Sequence, residues 1–86
     1  MQIGTVCGSV WATKKSDELN GLKFMITEIE NRKIIAVDMV GAGVGDSVLI
    51  TFGGSAHKLS GVSVDAVICG IIDKIDMEGS EKNEYK

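Results

Sequence analysis

The feature that most constrains the fold is a series of short runs rich in β-branched residues, separated by glycine and asparagine. β-Branched side chains favour strands, and glycine and asparagine are typical of the turns between them. No stretch has the 3.6-residue periodicity of a long amphipathic helix. The sequence therefore predicts an all-β fold with five strands, over residues 3–13, 22–30, 33–39, 47–52 and 64–75.

The connections between these runs narrow the architecture. Asn31 and Arg32 are predicted to form the tight turn of a hairpin between the second and third strands. A glycine pair breaks the fourth strand, and Ser55 is then predicted to cap a single helical turn over residues 55–60. Five strands with one short helical turn fit best the small, partly open β-barrel of the OB type.

The size and composition of the chain favour assembly. With 86 residues it has room for one small domain, predicted over residues 1–76, followed by a polar tail over residues 77–86. A lone domain of this size buries only about 60% of the surface that its unfolded chain exposes, so it is marginally stable. Hydrophobic residues make up 44% of the chain, more than one small barrel encloses. We expect part of this apolar surface to face other subunits.

Composition also argues against several functions. The net charge of −3 disfavours a nucleic-acid surface, which is normally basic. The sequence shows no secretion signal and no apolar run of about 20 residues, so a soluble, intracellular protein without membrane contact is predicted. The two cysteines, Cys7 and Cys69, are predicted to be buried reduced thiols, with a single bridge as the alternative. Metal ligands at suitable spacing are absent from the sequence, and no cofactor is expected.

The stretch from Gly41 to Asp46 reads GAGVGD and at first resembles a phosphate-binding loop. Such a loop leads into a helix, whereas the segment that follows here has strand composition and no lysine follows at the required position. We therefore predict a structural role. Gly41, Gly43 and Gly45 are expected to adopt positive φ or to allow close backbone approach. Asp38 and Asp46 are expected to accept hydrogen bonds from the amides of the loop.

The remaining polar residues do not form a catalytic group. His57 is predicted in a loop or short helix, away from both strand cysteines, so a cysteine–histidine nucleophile is not expected. It is expected to be exposed or at a subunit interface. Asp65 and Asp73 bracket the fifth strand, where eight residues span about 26 Å, too far for paired acid–base chemistry. Trp11 is predicted to pack in the core or at an interface.

Three segments in this order, DMVGAGVGDSVLI, GGSAHKL and VDAVICGIIDKID, resemble the EutN/CcmL family of bacterial microcompartment vertex proteins. The opening MQIGTVCGSVWATKK and the following LNGLKFMI fit the first two strands of that family, so the resemblance covers roughly residues 1–76. It implies a non-enzymatic, five-stranded barrel that assembles into pentamers. Such pentamers close the vertices of a protein shell in the bacterial cytoplasm, surrounded by hexameric shell proteins.

The resemblance also implies that a set of matching positions serves turns and subunit contacts. They are Asp38, Gly41, Ala42, Gly43, Gly45, Asp46, Gly54, Ser55, Ala56, Asp65, Ala66, Ile71, Ile72 and Asp73. The chain departs from the family at His57 and Lys58, where Ala-Arg is common, and at Ser63, where proline is common. The alternative function is an OB-like module for single-stranded nucleic acid or a small ligand. Its need for basic and aromatic residues is poorly met here.

Overall fold

The computed structural model describes residues 1–12, 15, 17–61 and 64–77. Five strands close into a barrel in the order β1-β2-β3-β5-β4, and one short α-helix lies between the fourth and fifth strands of the chain. The all-β, five-stranded barrel predicted from the sequence is therefore confirmed. The elements are β1 (Gln2–Val10), a 3-10 turn (Asp17–Leu19), β2 (Lys23–Ile29), β3 (Arg32–Asp38), β4 (Ser47–Phe52), α1 (Gly53–Ser60) and β5 (Ala66–Ile71).

The barrel closes along one short parallel seam. Four of its neighbouring strand pairs are antiparallel, whereas β3 and β5 run parallel and pair only at Val37 with Val67 and at Asp38 with Ile68. The last residue of β3 is thus held against β5. The chain that leaves β3 consequently begins its path to β4 at the point where the barrel closes.

The hairpin between β2 and β3 turns one residue earlier than predicted. Ile29 pairs with Arg32, so the turn residues are Glu30 and Asn31, not Asn31 and Arg32. Both have positive φ, 49° and 67°, which is the conformation of the two-residue turns that match the twist of paired strands. The register places Met25 opposite Ala36, and both side chains are buried, so core packing decides the position of the turn.

The predicted helical turn is a complete short helix, and Ser55 does not cap it. Helix α1 begins two residues earlier, and Phe52 occupies the N-cap position without a side-chain hydrogen bond. At the other end, Gly61 adopts φ 81° and its N–H donates to His57 O at 2.8 Å, as is typical of a helix stop. Ala56 packs with Val37 and Val67 in a small cluster, which fixes the helix on the outside of the barrel.

The main core lies inside the barrel. Gly4 shows how closely its strands approach, because a Cβ there would lie 2.9 Å from Ile29 Cγ1 and 3.0 Å from Ile50 Cδ1. The buried members of the core are Val6, Met25, Ile29, Ala36, Ala42, Val48, Ile50, Ala66 and Ile68.

Strand ends and side-chain burial differ from prediction in β1 and β5. Strand β4 has the predicted bounds, but β1 ends before Trp11, which is 91% exposed; residue 13 lies outside the described residues. Trp11 therefore does not pack in the core, and its alternative placement at a subunit interface stays a prediction. The fifth strand is shorter than predicted and is buried only over its first three residues.

The two cysteines are free thiols, but Cys7 is exposed and Cys69 is only partly buried. The prediction that both are buried was wrong. The register between β1 and β2 shifts between Val6 and Gly8, and such an irregularity changes the direction of the side chain of the extra residue, here Cys7.

Among the described residues, no helix combines the length and apolar character needed to cross a membrane.

Candidate functional site

The chain between β3 and β4, residues 39–46, carries the glycine stretch, and we call it the glycine loop. Its first residue, Met39, donates its N–H to Ile68 O of β5 at 3.3 Å. At its far end Gly45 donates to Val6 O at 2.8 Å, and Val6 donates back to Asp46 O at 2.9 Å. Both ends of the loop are therefore hydrogen-bonded to barrel strands.

The Asp38 carboxylate holds the first half of the loop. Its Oδ1 accepts the N–H groups of Val40 and Gly41, both at 3.0 Å, and its Oδ2 accepts the N–H of Ala42 at 2.9 Å. The side chain is only 1% exposed, so these amides replace the water that a carboxylate would otherwise bind. The prediction that Asp38 accepts hydrogen bonds from the amides of the loop is confirmed.

Lys23, at the start of β2, partly balances this buried charge. Its Nζ lies 3.5 Å from Asp38 Oδ2 and donates to Ala42 O at 3.3 Å. The lysine side chain is 55% exposed, which weakens the ion pair through solvent screening. Its more specific effect is to position the loop. The Lys23 ammonium contacts both the Asp38 carboxylate and the Ala42 carbonyl, and so links the carboxylate to the loop a second time.

The second half of the loop is a tight turn closed by Asp46. Its Oδ2 accepts the Gly43 N–H at 2.8 Å, as predicted, and its own N–H donates to Gly43 O at 3.1 Å. Gly41 and Gly45 have φ of 84° and 97°, values that disfavour other residues. Gly43 has no positive φ, and a Cβ there would meet only Asp46 Oδ2, at 3.9 Å. The expected positive φ is thus confirmed at Gly41 and Gly45 but not found at Gly43, where close approach of a neighbouring chain stays a prediction.

The side chains of the loop divide sharply between inside and outside. Ala42 is buried in the core of the barrel. In contrast, Met39, Val40 and Val44 are exposed, and Val44, in the turn, is 69% exposed. We call these three residues the apolar ridge. Sequence reasoning singled out the glycines and missed the ridge, although the signal was present as large apolar residues placed between glycines in a predicted loop.

The other predicted contact residues are distant from the glycine loop in sequence and belong to other secondary-structure elements. Gly54, Ser55 and His57 are exposed on α1, and Asp65 and Asp73 are exposed on either side of β5. The structure therefore gathers Asp38, Ala42, Asp46 and the loop glycines into one hydrogen-bonded unit. It does not add the residues of α1 or those flanking β5 to that unit.

The chemistry available at the glycine loop is hydrogen bonding and apolar contact. Among the described residues, no group of three or more His, Cys, Asp and Glu side chains is arranged to hold a metal ion. In the same part of the chain, every buried side-chain nitrogen and oxygen has a hydrogen-bond partner. The buried Asp38 is consequently fully engaged in shaping the backbone.

Comparison with known proteins places this geometry in a family. The family model described as "Ethanolamine utilisation protein EutN/carboxysome" matches residues 1–73. The chain belongs to the EutN/CcmL family. The match covers the whole barrel and both ends of the glycine loop, so the resemblance found in the sequence is confirmed.

Several EutN/CcmL relatives match over nearly their full length. The carboxysome shell vertex protein CcmL of Gloeobacter violaceus is 33% identical over 100 residues, covering 100% of both chains; its structure aligns with a TM-score of 0.84 over 91% of each chain. The shell vertex protein GrpN of Rhodospirillum rubrum is 34% identical over 86 residues, covering 88% of this chain and 97% of its own. The GrpN structure is that of a pentameric microcompartment shell protein, with a TM-score of 0.81, covering 90% of this chain and 99% of that chain.

The family match ends at residue 73, close to the predicted end of the barrel domain at residue 76. Residues 78–86 of the predicted polar tail lie outside the described residues. The boundary between a barrel over residues 1–76 and a tail over residues 77–86 therefore stays a prediction.

Proposed function

We propose that this chain is a structural subunit whose pentamers close the vertices of a bacterial microcompartment shell in the cytoplasm. Membership of the EutN/CcmL family carries the proposal. Its matched relatives CcmL and GrpN are shell vertex proteins, and GrpN forms pentamers. The full-length correspondence with these relatives supports a shared role for the whole barrel.

The physical properties of the subunit agree with assembly. A barrel of this size leaves many large apolar side chains exposed, and surface of this kind is typical of contacts between subunits. In a closed ring each contact joins two different surfaces of the same protein, so one barrel must present two distinct contact regions. Among the residues that the structure describes, the exposed large apolar ones are Met1, Trp11, Ile35, Met39, Val40, Val44, Leu59, Ile71 and Met77.

The predicted site residues take two roles in this proposal. Those of the glycine loop shape the backbone, through the carboxylates of Asp38 and Asp46 and the positive φ of Gly41 and Gly45. The exposed positions on α1 and beside β5 serve as contacts to neighbouring proteins. They are Gly54, Ser55, His57, Asp65 and Asp73.

The proposal includes hexameric shell proteins as partners and excludes catalysis. In a shell of more than twelve units, six-fold units tile the facets between the five-fold vertices. No reaction is assigned, because the carboxylates of Asp38 and Asp46 accept hydrogen bonds from backbone amides of the glycine loop. The net charge of −3 also disfavours the alternative of single-stranded nucleic-acid binding.

Native mass spectrometry of the purified chain tests the assembly directly. The expected result is a species of five subunits. Co-expression with hexameric shell proteins should give closed particles, and omission of this chain should leave the particles open at their corners. A chain that stays monomeric at high concentration, or that binds single-stranded DNA at physiological salt, would contradict the proposal.

A further inference from the structure

The seam between β3 and β5 is the most weakly paired join of the barrel. Each antiparallel pair of neighbouring strands shares four to seven residue pairs, whereas β3 and β5 share two. A further backbone hydrogen bond crosses the seam from the Met39 N–H to Ile68 O, at 3.3 Å. Among the described residues, the stretch 32–36 of β3 has no strand partner on the side away from β2. Few hydrogen bonds therefore hold these two strands together.

Helix α1 covers the outside of this seam. The paired residues Val37 and Val67 are 1% and 0% exposed, and they form one buried cluster with Ala56 of the helix. Ala56 is the one buried residue of α1, a helix that the structure describes over its whole length. At the start of α1, Gly53 donates its N–H to Asp65 O, just before β5. The helix is thus joined to the β5 side and covers the seam with a single buried methyl group.

The same seam fixes the first half of the glycine loop. Asp38, which directly follows the β3 residue beneath α1, pairs with Ile68 of β5. Its carboxylate accepts the N–H groups of Val40, Gly41 and Ala42. Ala42 is itself buried in the barrel core. A shift of β3 at the seam therefore strains the hydrogen bond between Asp38 Oδ2 and the Ala42 amide.

We propose that the seam is a local opening point of the barrel, and that it couples α1 to the glycine loop. When α1 leaves the barrel, β3 and β5 separate at their two residue pairs, and the loop amides lose the bonds to Asp38. Coupling of two regions needs an element with two states that both regions influence, here the closed and the open seam. Because coupling is reciprocal, whatever orders α1 also orders the loop. This property belongs to the single subunit and does not depend on the proposed function.

Hydrogen exchange of the wild-type chain, resolved by residue with NMR, tests the opening. Local openings expose amides at a lower free energy than global unfolding and depend less on denaturant. In increasing but non-denaturing guanidinium chloride, the amides of residues 39–42 should exchange through such a local opening. The amides that join β2 to β3 should exchange only through global unfolding. Loop amides as strongly protected as that ladder would overturn the proposal.

The coupling is tested by comparing Ala56→Gly with Ile29→Val. Each removes one carbon from a buried side chain, but Ile29 lies at the hairpin end of β2, opposite Arg32. Native mass spectrometry should first establish that both variants have the assembly state of the wild type. We expect Ala56→Gly to speed exchange of the amides of residues 40–42 about tenfold or more, since glycine weakens the helix and one buried methyl is lost. Ile29→Val should leave these rates within about twofold of wild type, since its loss acts on global stability.

The test keeps its meaning if α1 melts altogether in Ala56→Gly. The loop amides then lose protection only if they are coupled to the helix, and circular dichroism would show that the strands remain. Unchanged loop exchange in Ala56→Gly would overturn the proposal, and so would equal acceleration in Ile29→Val.

Discussion

Replacing Asp38 with asparagine removes the negative charge that holds the glycine loop, while the side chain keeps almost the same shape. One carboxylate oxygen becomes an NH2 group, which donates where the oxygen accepted. The less disruptive orientation keeps the Oδ1 bonds to Val40 and Gly41 and places the NH2 against the Ala42 N–H. Two donors then face each other at a buried position, and the ammonium of Lys23 loses its anionic partner.

The magnitude follows from these losses. A hydrogen bond to a charged group contributes about 1.5–3 kcal/mol, and a buried amide without an acceptor costs about 1–3 kcal/mol. The two effects overlap, because both concern the same Ala42 amide, so we expect Asp38→Asn to lower the free energy of unfolding by about 2–4 kcal/mol. A domain of 86 residues has about 4–13 kcal/mol in total, and the variant should fold with much reduced stability.

Equilibrium unfolding in guanidinium chloride measures this effect, at one fixed subunit concentration because assembly also stabilises the fold. With a slope of about 2 kcal/mol per M, the midpoint should fall by about 1–2 M. Asp76→Asn is the matched control, since the Asp76 side chain is 82% exposed, and its effect should stay within about 0.5 kcal/mol. If Asp38→Asn changes stability no more than this control, the carboxylate does not hold the loop as described.

Three further substitutions test other parts of the structure. Gly4→Ala should lower stability by about 1–3 kcal/mol through overpacking, because the new Cβ would lie 2.9 Å from Ile29 Cγ1; an unchanged thermal midpoint would contradict the close strand approach. Glu30→Asn should raise stability by about 0.5–1 kcal/mol, since asparagine tolerates the positive φ of this turn better than glutamate; a lower denaturation midpoint would count against the assigned turn. Gly43→Val should leave the stability of the subunit within about 0.5 kcal/mol of wild type, because only Asp46 Oδ2 lies near the added Cβ. It should also impair pentamer formation in native mass spectrometry, and normal pentamers would show that no neighbour lies close to this glycine.

The sequence predicts the strand content well because β-branched composition and glycine punctuation are local properties. It predicts strand ends less well because an end depends on the partner. Strand β1 stops at Val10, where its pairing with Phe24 ends, and β5 begins only where Ala66 meets Phe52. Residues of strand-like composition lie beyond both points, but the pairing with the neighbouring strand ends there.

Of the two side chains that hold the glycine loop, only Asp38 could be predicted from the sequence, for a related reason. Asp38 stands beside glycines, which marks it as a turn acceptor, but Lys23 is distant in sequence. Its role follows from register, because a turn at Glu30 and Asn31 places Lys23 opposite Asp38. The predicted turn, one residue later, breaks that pairing. A one-residue error in the predicted turn therefore hides the contact between Lys23 and Asp38, which form the seventh residue pair from the turn.

Assembly into a ring gives a reason for an exposed loop to be ordered by residues of its own subunit. A pentamer has five equivalent contacts, so any free energy spent on ordering a loop is spent five times. At about 1 kcal/mol for each loop ordered on binding, the ring would lose about 5 kcal/mol, or several thousandfold in its assembly constant. Because Asp38 and Lys23 fix the loop during folding of the subunit, that ordering is complete before two copies meet. Asp38, whose side chain is buried within the subunit, thus contributes to the stability of the assembled vertex.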